Sequence, residues 1–430
     1  MKRFLTLAAS ALALAATPAA AQTMAITGVN VAKGDGSEPI ENGAVVVENG
    51  KVTYAGPASG MPEVAMPLVE APPGTWVTPG LFATVTTLGL WDVGAVSESN
   101  DTRAGDSPFN AALDVSRAIN PDSQHIKIHR AAGVTRAATL MGSTGSIFGG
   151  QGALIDLGAD PDPVTEARAF QTVQLGEAGA RLAGGSRVAS YAEFANALRE
   201  AREAANGRWD AESAMLTRAD AEALVPVVTG RQKLYVMVER AADIRGVLDL
   251  KREYRALDLV LVGASEGWMV APEIAAAGVP VIADGLDDLP SSFEQLGSTQ
   301  SNIGRMVAAG VKVGINASAM ENPRNLNQYA GNLVALTRIP GADGLSWGQA
   351  FAAISSVPAE ISGLGGRAGV LKPGAAGDIV IWDGDPLEVG SVPTQVYIDG
   401  VAQPLENHQS RLRDRYRDLD ESDLPKAYDW

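Results

Sequence analysis

The stretch LYVMVERAADIRGVLDLKREYRALDLVLV, from Leu234 to Val262, decides the fold class. Leu234–Val238 and Leu259–Val262 are short apolar runs, and Ala241–Tyr254 between them has a helical pattern. A strand, a helix and a second strand in about 30 residues form one βα unit, and such units build parallel sheets and barrels. The alternation continues in both directions. Leu81–Thr86, Thr135–Leu140, Val279–Ala283 and Val311–Ile315 are further candidate strands. Ser123–Ala132, Tyr191–Asn206, Ala271–Ala277, Asn325–Leu336 and Trp347–Ser355 are candidate helices. The stretch from about 156 to 231 reads as mostly helical, an insertion between barrel strands.

Both flanks of this α/β middle are β-rich. Ala25 to Val31 alternates, and Val45-Val46-Val47 leads through Glu48-Asn49-Gly50-Lys51 into Val52-Thr53-Tyr54. Asn-Gly between two β-rich runs is a hairpin signal. Ala376 to Trp382 and Val396 to Ile398 supply strands near the other end. The economical arrangement pairs the two ends, 22–78 and 368–405, into a composite β-sandwich beside a barrel spanning 79–367. A charged tail, 406–430, reads as a solvated helix on the outside.

Lys2 and Arg3, the apolar run Phe4 to Ala16 and the site Ala19-Ala20-Ala21 form a secretory signal, so 1–21 is expected to be removed and Gln22 to become the first residue. The expected location is a periplasm. The chain has no cysteine, which excludes disulfides and thiolate metal sites. Its formal charge of −16 argues against a nucleic-acid partner, because an acidic surface repels phosphate backbones. Beyond the leader no apolar run is long enough to span a bilayer, so no membrane partner is expected after cleavage.

Several stretches together resemble one family. They are Val77-Thr78-Pro79-Gly80-Leu81, Asn120-Pro121-Asp122-Ser123, Ala132-Gly133-Val134-Thr135 and Gly145 to Ala153. Arg240-Ala241-Ala242-Asp243-Ile244, Ala308 to Val313, Pro323 to Leu326 and Gly369 to Pro386 continue the series. In order and spacing they resemble the amidohydrolase superfamily, and within it exported members related to imidazolonepropionase. The resemblance implies a (β/α)8 TIM barrel with the small composite β-sandwich, its site at the C-terminal ends of the strands. It also implies metal-dependent hydrolysis of peptide or non-peptide C–N bonds, with zinc or another divalent ion generating hydroxide.

The same resemblance places the family's metal ligands on residues that cannot serve. A His-x-His pair falls on Val85 and Thr87, two further histidines on Met237 and Gly263, and an aspartate on Ser318. Valine and glycine offer no donor atom, and a thioether or neutral hydroxyl suits zinc poorly. The whole chain holds three histidines, His125, His129 and His408. No metal or other cofactor is therefore expected.

The remaining polar residues leave alternatives open. His125 and His129 have the i, i+4 spacing of a zinc pair, but no glutamate sits between them in the metalloprotease arrangement, and a solvated helix face accounts for both. The glycines from Gly142 to Gly152 lack the Lys-Ser/Thr of a phosphate loop and read as turn geometry, with a backbone-lined substrate contact open. Gln151, Glu239, Glu266, Asp284 and Glu321 are pocket candidates. The four carboxylates are compatible with an all-oxygen cation site or with ordinary capping and solvation. Two functions follow: a non-catalytic pseudoenzyme or partner subunit, and an active hydrolase with an atypical or shared site. The expected partners are a second copy or an active amidohydrolase paralogue.

Overall fold

The computed structural model describes residues 23–63, 68–285, 287–316 and 323–417. The N-terminal part supplies β1 (Met24–Val31), β2 (Ile40–Glu48), β3 (Lys51–Pro57), β4 (Leu68–Glu70) and β5 (Trp76–Pro79). The Asn49-Gly50 hairpin forms as read. Both residues have positive φ, 51° and 74°, so Glu48 pairs with Lys51 across a turn that suits the strand twist.

Eight strands then make the barrel: β6 (Leu81–Thr86), β7 (Val134–Thr139), β8 (Phe148–Asp156), β9 (Val164–Gln174), β10 (Lys233–Val238), β11 (Asp258–Gly263), β12 (Val281–Ala283) and β13 (Val313–Ile315). They pair in sequence order. A Thr84–Asn316 bridge and a hydrogen bond from Thr84 Oγ1 to Ile315 O join β13 back to β6, leaving the barrel nearly closed. Side chains alternate as a pleated strand requires. Phe82, Leu154, Phe170, Tyr235, Val260 and Ile282 fill the interior. Leu81, Ile155, Val173, Leu234, Leu259 and Val281 belong to a separate cluster shared with the helices. Burying each such side chain contributes about 1.5–3 kcal/mol.

The helices follow the barrel order. α1 (Gln124–Ala131) precedes β7, and α2 (Gly176–Leu182), α3 (Arg187–Ala205), α4 (Arg218–Ala223) and α5 (Val225–Val228) connect β9 to β10. α6 (Ala241–Glu253), α7 (Ala271–Ala277) and α8 (Asn302–Ala308) follow β10, β11 and β12. After β13 come α9 (Leu326–Leu336), α10 (Trp347–Ala352) and α11 (Ser356–Ile361). Ala359 and Ile361 of α11 pack into the interior cluster, and Ser362 meets the Tyr235 hydroxyl, closing the floor of the barrel.

Two sequence expectations need correction. The barrel is not uniformly parallel, because β8 runs antiparallel to both β7 and β9. Only six residues separate Met141 from Phe148, too few for a crossover helix, so the chain turns straight back. The glycine run is thus half loop and half strand. Nor is 156–231 one helical insertion, since it contains β9. Thr165, Glu166 and Arg168 are exposed in the first half of β9, and only Phe170–Val173 is buried, so no apolar run announced the strand. The helical connection begins at Gly176.

The C-terminal part returns to the first sheet with β14 (Ile379–Trp382), β15 (Pro393–Ile398) and β16 (Val401–Ala402). β14 pairs antiparallel with β5, Ile379 opposite Pro79 and Trp382 opposite Trp76, so both chain ends share one eight-stranded sheet. Below the barrel, Arg136 of β7 fixes this sheet in place. Its guanidinium bonds both Asp378 oxygens, Nε to Oδ2 at 2.6 Å and Nη2 to Oδ1 at 3.1 Å, and also Asp399 at 2.9 Å. Burial opposes the charge on Arg136, but Asp378 and then Asp399 outweigh it and hold the guanidinium above its ordinary pKa. Helix α12 (His408–Arg415) follows and buries none of its residues, in keeping with a solvated tail.

Candidate functional site at the barrel mouth

The C-terminal strand ends carry the positions of interest. Val85 sits inward near the end of β6 with φ 54°. A β-branched residue there is strained, and the β6–β7 register slips between Ala83 and Thr86 around it. Thr87 follows, and its hydroxyl accepts a 2.9 Å hydrogen bond from Trp91 Nε1. Met237 packs against the interior cluster at the end of β10. Gly263 has φ 89°, and a Cβ at that position would collide with the Glu239 carboxylate. Ser318 and Glu321 lie outside the described residues.

The carboxylates divide into two groups. Glu239 accepts from Ser265 N at 3.0 Å and Ser265 Oγ at 2.7 Å. Burial pushes its pKa to about 7 against those two bonds, with help from Glu294 and Asp287. Asp284, just beyond β12, rises to about 8 through burial, then the charges of Asp287 and Glu239, while a bond from Asn316 opposes the shift. One oxygen of Asp284 is buried without a partner among the described residues. These two acids therefore share one electrostatic neighbourhood.

Glu266 and Gln151 do other work. Glu266 is buried, takes Ala241 N at 2.9 Å at the start of α6, and takes Gly297 N at 3.1 Å. It is an N-terminal helix anchor. Gln151 pairs with Gln171 in the β8–β9 ladder, below the mouth, and its side chain meets Gln232. Among the described residues no group of three or more His, Asp or Glu is placed to hold a metal ion. The described donors thus do not fit the divalent centre that the resemblance implies, and Glu239, Glu266 and Asp284 do not form a cation site among themselves.

The histidines are where the sequence reading fails most clearly. A cavity of about 760 Å³ opens beside the ends of β6 and β7, and His125 and His129 line it together with Val85, Thr87, Leu88, Trp91, Leu140 and Arg103. They are not on a solvated face. His125 lies against Trp91 with ring centroids 3.8 Å apart, and its Nε2 donates to Asp92 O. His129 is 3% exposed, and its Nδ1 donates to His125 O at 2.6 Å. A carbonyl can only accept, so Nδ1 carries the proton and Nε2 presents a lone pair. That Nε2 is buried without a partner among the described residues. Burial, chiefly, brings the His129 pKa down to about 4, so the ring is neutral. The i, i+4 spacing was the available signal, but nothing local says that α1 packs over the mouth.

Known proteins agree with this architecture. The Amidohydrolase family matches residues 229–405. Amidohydrolase tasK of Hapsidospora irregularis is 27% identical over 406 residues, 84% of this chain and 40% of that protein. This chain therefore spans about two fifths of that relative's length. Imidazolonepropionase of Maricaulis maris (strain MCS10) is 24% identical over 385 residues, 84% of this chain and 92% of that protein. The C-terminal two fifths of the chain thus match the amidohydrolase model, and most of its length is similar in sequence to these two proteins. In fold, an amidohydrolase from Thermotoga maritima MSB8 superposes with a TM-score of 0.77 at 22% identity, covering 88% of this chain and 99% of its own. The likeness to imidazolonepropionase is a weak one.

Proposed function

We propose that this chain is a non-catalytic pseudoenzyme of the amidohydrolase superfamily, located in the periplasm. Its barrel mouth binds rather than hydrolyses, and it works alone or beside an active paralogue. The observation that carries the reading is the residue set at the strand ends. Val85, Thr87, Met237 and Gly263 stand where the resemblance calls for imidazole, and three histidines in the whole chain are too few to rebuild such a centre elsewhere. Hydrolysis of an amide at neutral pH needs a far better nucleophile than free water, and these residues generate none. The test is turnover of N-acyl amino acids, dipeptides and cyclic amides with added zinc or manganese. We expect rates within twofold of the metal–buffer blank. A rate about a thousandfold above it, removed by a chelator, overturns the reading.

One observation favours the alternative, an active hydrolase with an atypical or shared site. Glu239 and Asp284 titrate near neutrality, where general acids and bases work best. On that reading Glu239→Gln would abolish a measurable activity, and the same assay separates the two. Export rests on the leader sequence, and the mass of protein recovered from periplasm should begin at Gln22; a chain retaining Met1 contradicts it.

A further inference from the structure

Most of the molecule's polar features are accounted for by structure. Glu294 caps α2 through Glu177 N and pairs with Arg187, and Asp220 bonds Asn110 N and Ala112 N. A second groove, between α1, α9 and α12, offers Arg324 and Arg413, but each has a side-chain partner, Gln409 and Asp414. The mouth cavity beside α1 is different. It contains a buried acceptor that nothing in the described fold uses.

Leaving a buried polar atom unpaired costs about 1–3 kcal/mol, and native proteins rarely tolerate it without reason. His129 Nε2 is such an atom, on a ring whose tautomer is fixed by His125 O and which lines a cavity wide enough for a small molecule. Val85, Leu88, Leu140 and Trp91 give that cavity an apolar wall. Thr87 adds a hydroxyl that already accepts from Trp91, so its own proton is the part left to offer. Arg103 lines the cavity and is exposed, and the positive charge of Arg324 also acts on His125 and His129. The lone pair of a neutral imidazole accepts from a donor and offers nothing to an anion.

We propose that this cavity binds an uncharged small molecule that carries an O–H or N–H donor on an apolar body, with His129 Nε2 as its acceptor. The inference rests on the binding-only reading given above, and it names the ligand chemistry of that reading. His129 is a binding residue here, and α1 is the element that makes the mouth specific.

The test uses full-length mature protein with ¹⁵N-labelled histidine and three probes on one p-tolyl body: p-cresol, 4-methylanisole and 4-methylbenzoate. p-Cresol should shift the His129 Nε2 resonance and bind about tenfold more tightly than the anisole, in which a methyl group replaces the donated hydrogen. His129→Phe should bring the two within twofold, and the wild-type resonance decides the matter if that variant does not fold. Equal affinity for cresol and anisole with Nε2 unmoved overturns the proposal, as does tighter binding of the benzoate. Metal content measured on the same sample keeps the two ideas apart. A stoichiometric metal sinks the binding-only function whatever the probes do, whereas metal-free protein that ignores p-cresol sinks only the ligand inference.

Discussion

Asp378→Ala should destabilise the protein by about 3–5 kcal/mol, the cost typical of removing one partner from a buried ion pair. Asp378 is 1% exposed and receives Arg136 through two nitrogens, and its Oδ1 also accepts Asp399 N at 2.9 Å. Without it the Arg136 guanidinium stays buried with the half-exposed Asp399 as its remaining ion-pair partner among the described residues. The effect is larger than for a surface pair because water cannot replace the lost carboxylate. The double variant Arg136→Met/Asp378→Leu should recover most of the loss, since it removes both charges and keeps apolar volume. Denaturant midpoints of the three proteins measure this. A single variant within about 1 kcal/mol of wild type would mean that the sheet is not held to the barrel by this pair.

Stability should also fall as pH rises from 6.5 to 8.5. The folded-state pKa of Asp284 is raised from its ordinary 3.8 to about 8, and that of Glu239 to about 7. Across that window the folded chain binds more protons than the unfolded chain, so the slope of unfolding free energy with pH is negative. Asp284 alone contributes a loss of about 2 kcal/mol between pH 6.5 and 8, at about 1.4 kcal/mol per pH unit. His129 acts the other way but in a lower window. Its pKa is depressed to about 4, so its contribution is intact above 6.5 and is lost as pH falls toward 4. Asp284→Asn should flatten the alkaline fall and should also remove the stability that Asp284 gains as pH drops from 6.5 toward 4, leaving the His129 loss steeper there. An unchanged alkaline slope in that variant would show that Asp284 ionises normally.

The parts of the fold that were legible in the sequence had a strong local signature. β6 matched Leu81–Thr86 residue for residue, α7 matched Ala271–Ala277, and the Asn49-Gly50 hairpin formed where its dipeptide required. What stayed hidden depends on distant parts of the chain. β9 begins with exposed Thr165 and Glu166 and becomes a strand because β8 and β10 pair with it. The direction of β8 is set by a six-residue return that composition does not specify. The site was legible in one sense only. Residue type at Val85, Met237 and Gly263 limits the chemistry available there. Which polar groups face the mouth is a packing outcome, so Glu266 turned out to anchor α6 and His129 to line the cavity.

The strand ends give the central claim its sharpest form. Val85 keeps a strained backbone at φ 54° with no ligating side chain to use it, and the space beside Gly263 belongs to Glu239. Elemental analysis of protein purified from periplasm without chelators tests the claim most directly. The account predicts well under one equivalent of zinc, iron or manganese; one tightly held equivalent at the barrel mouth would contradict it.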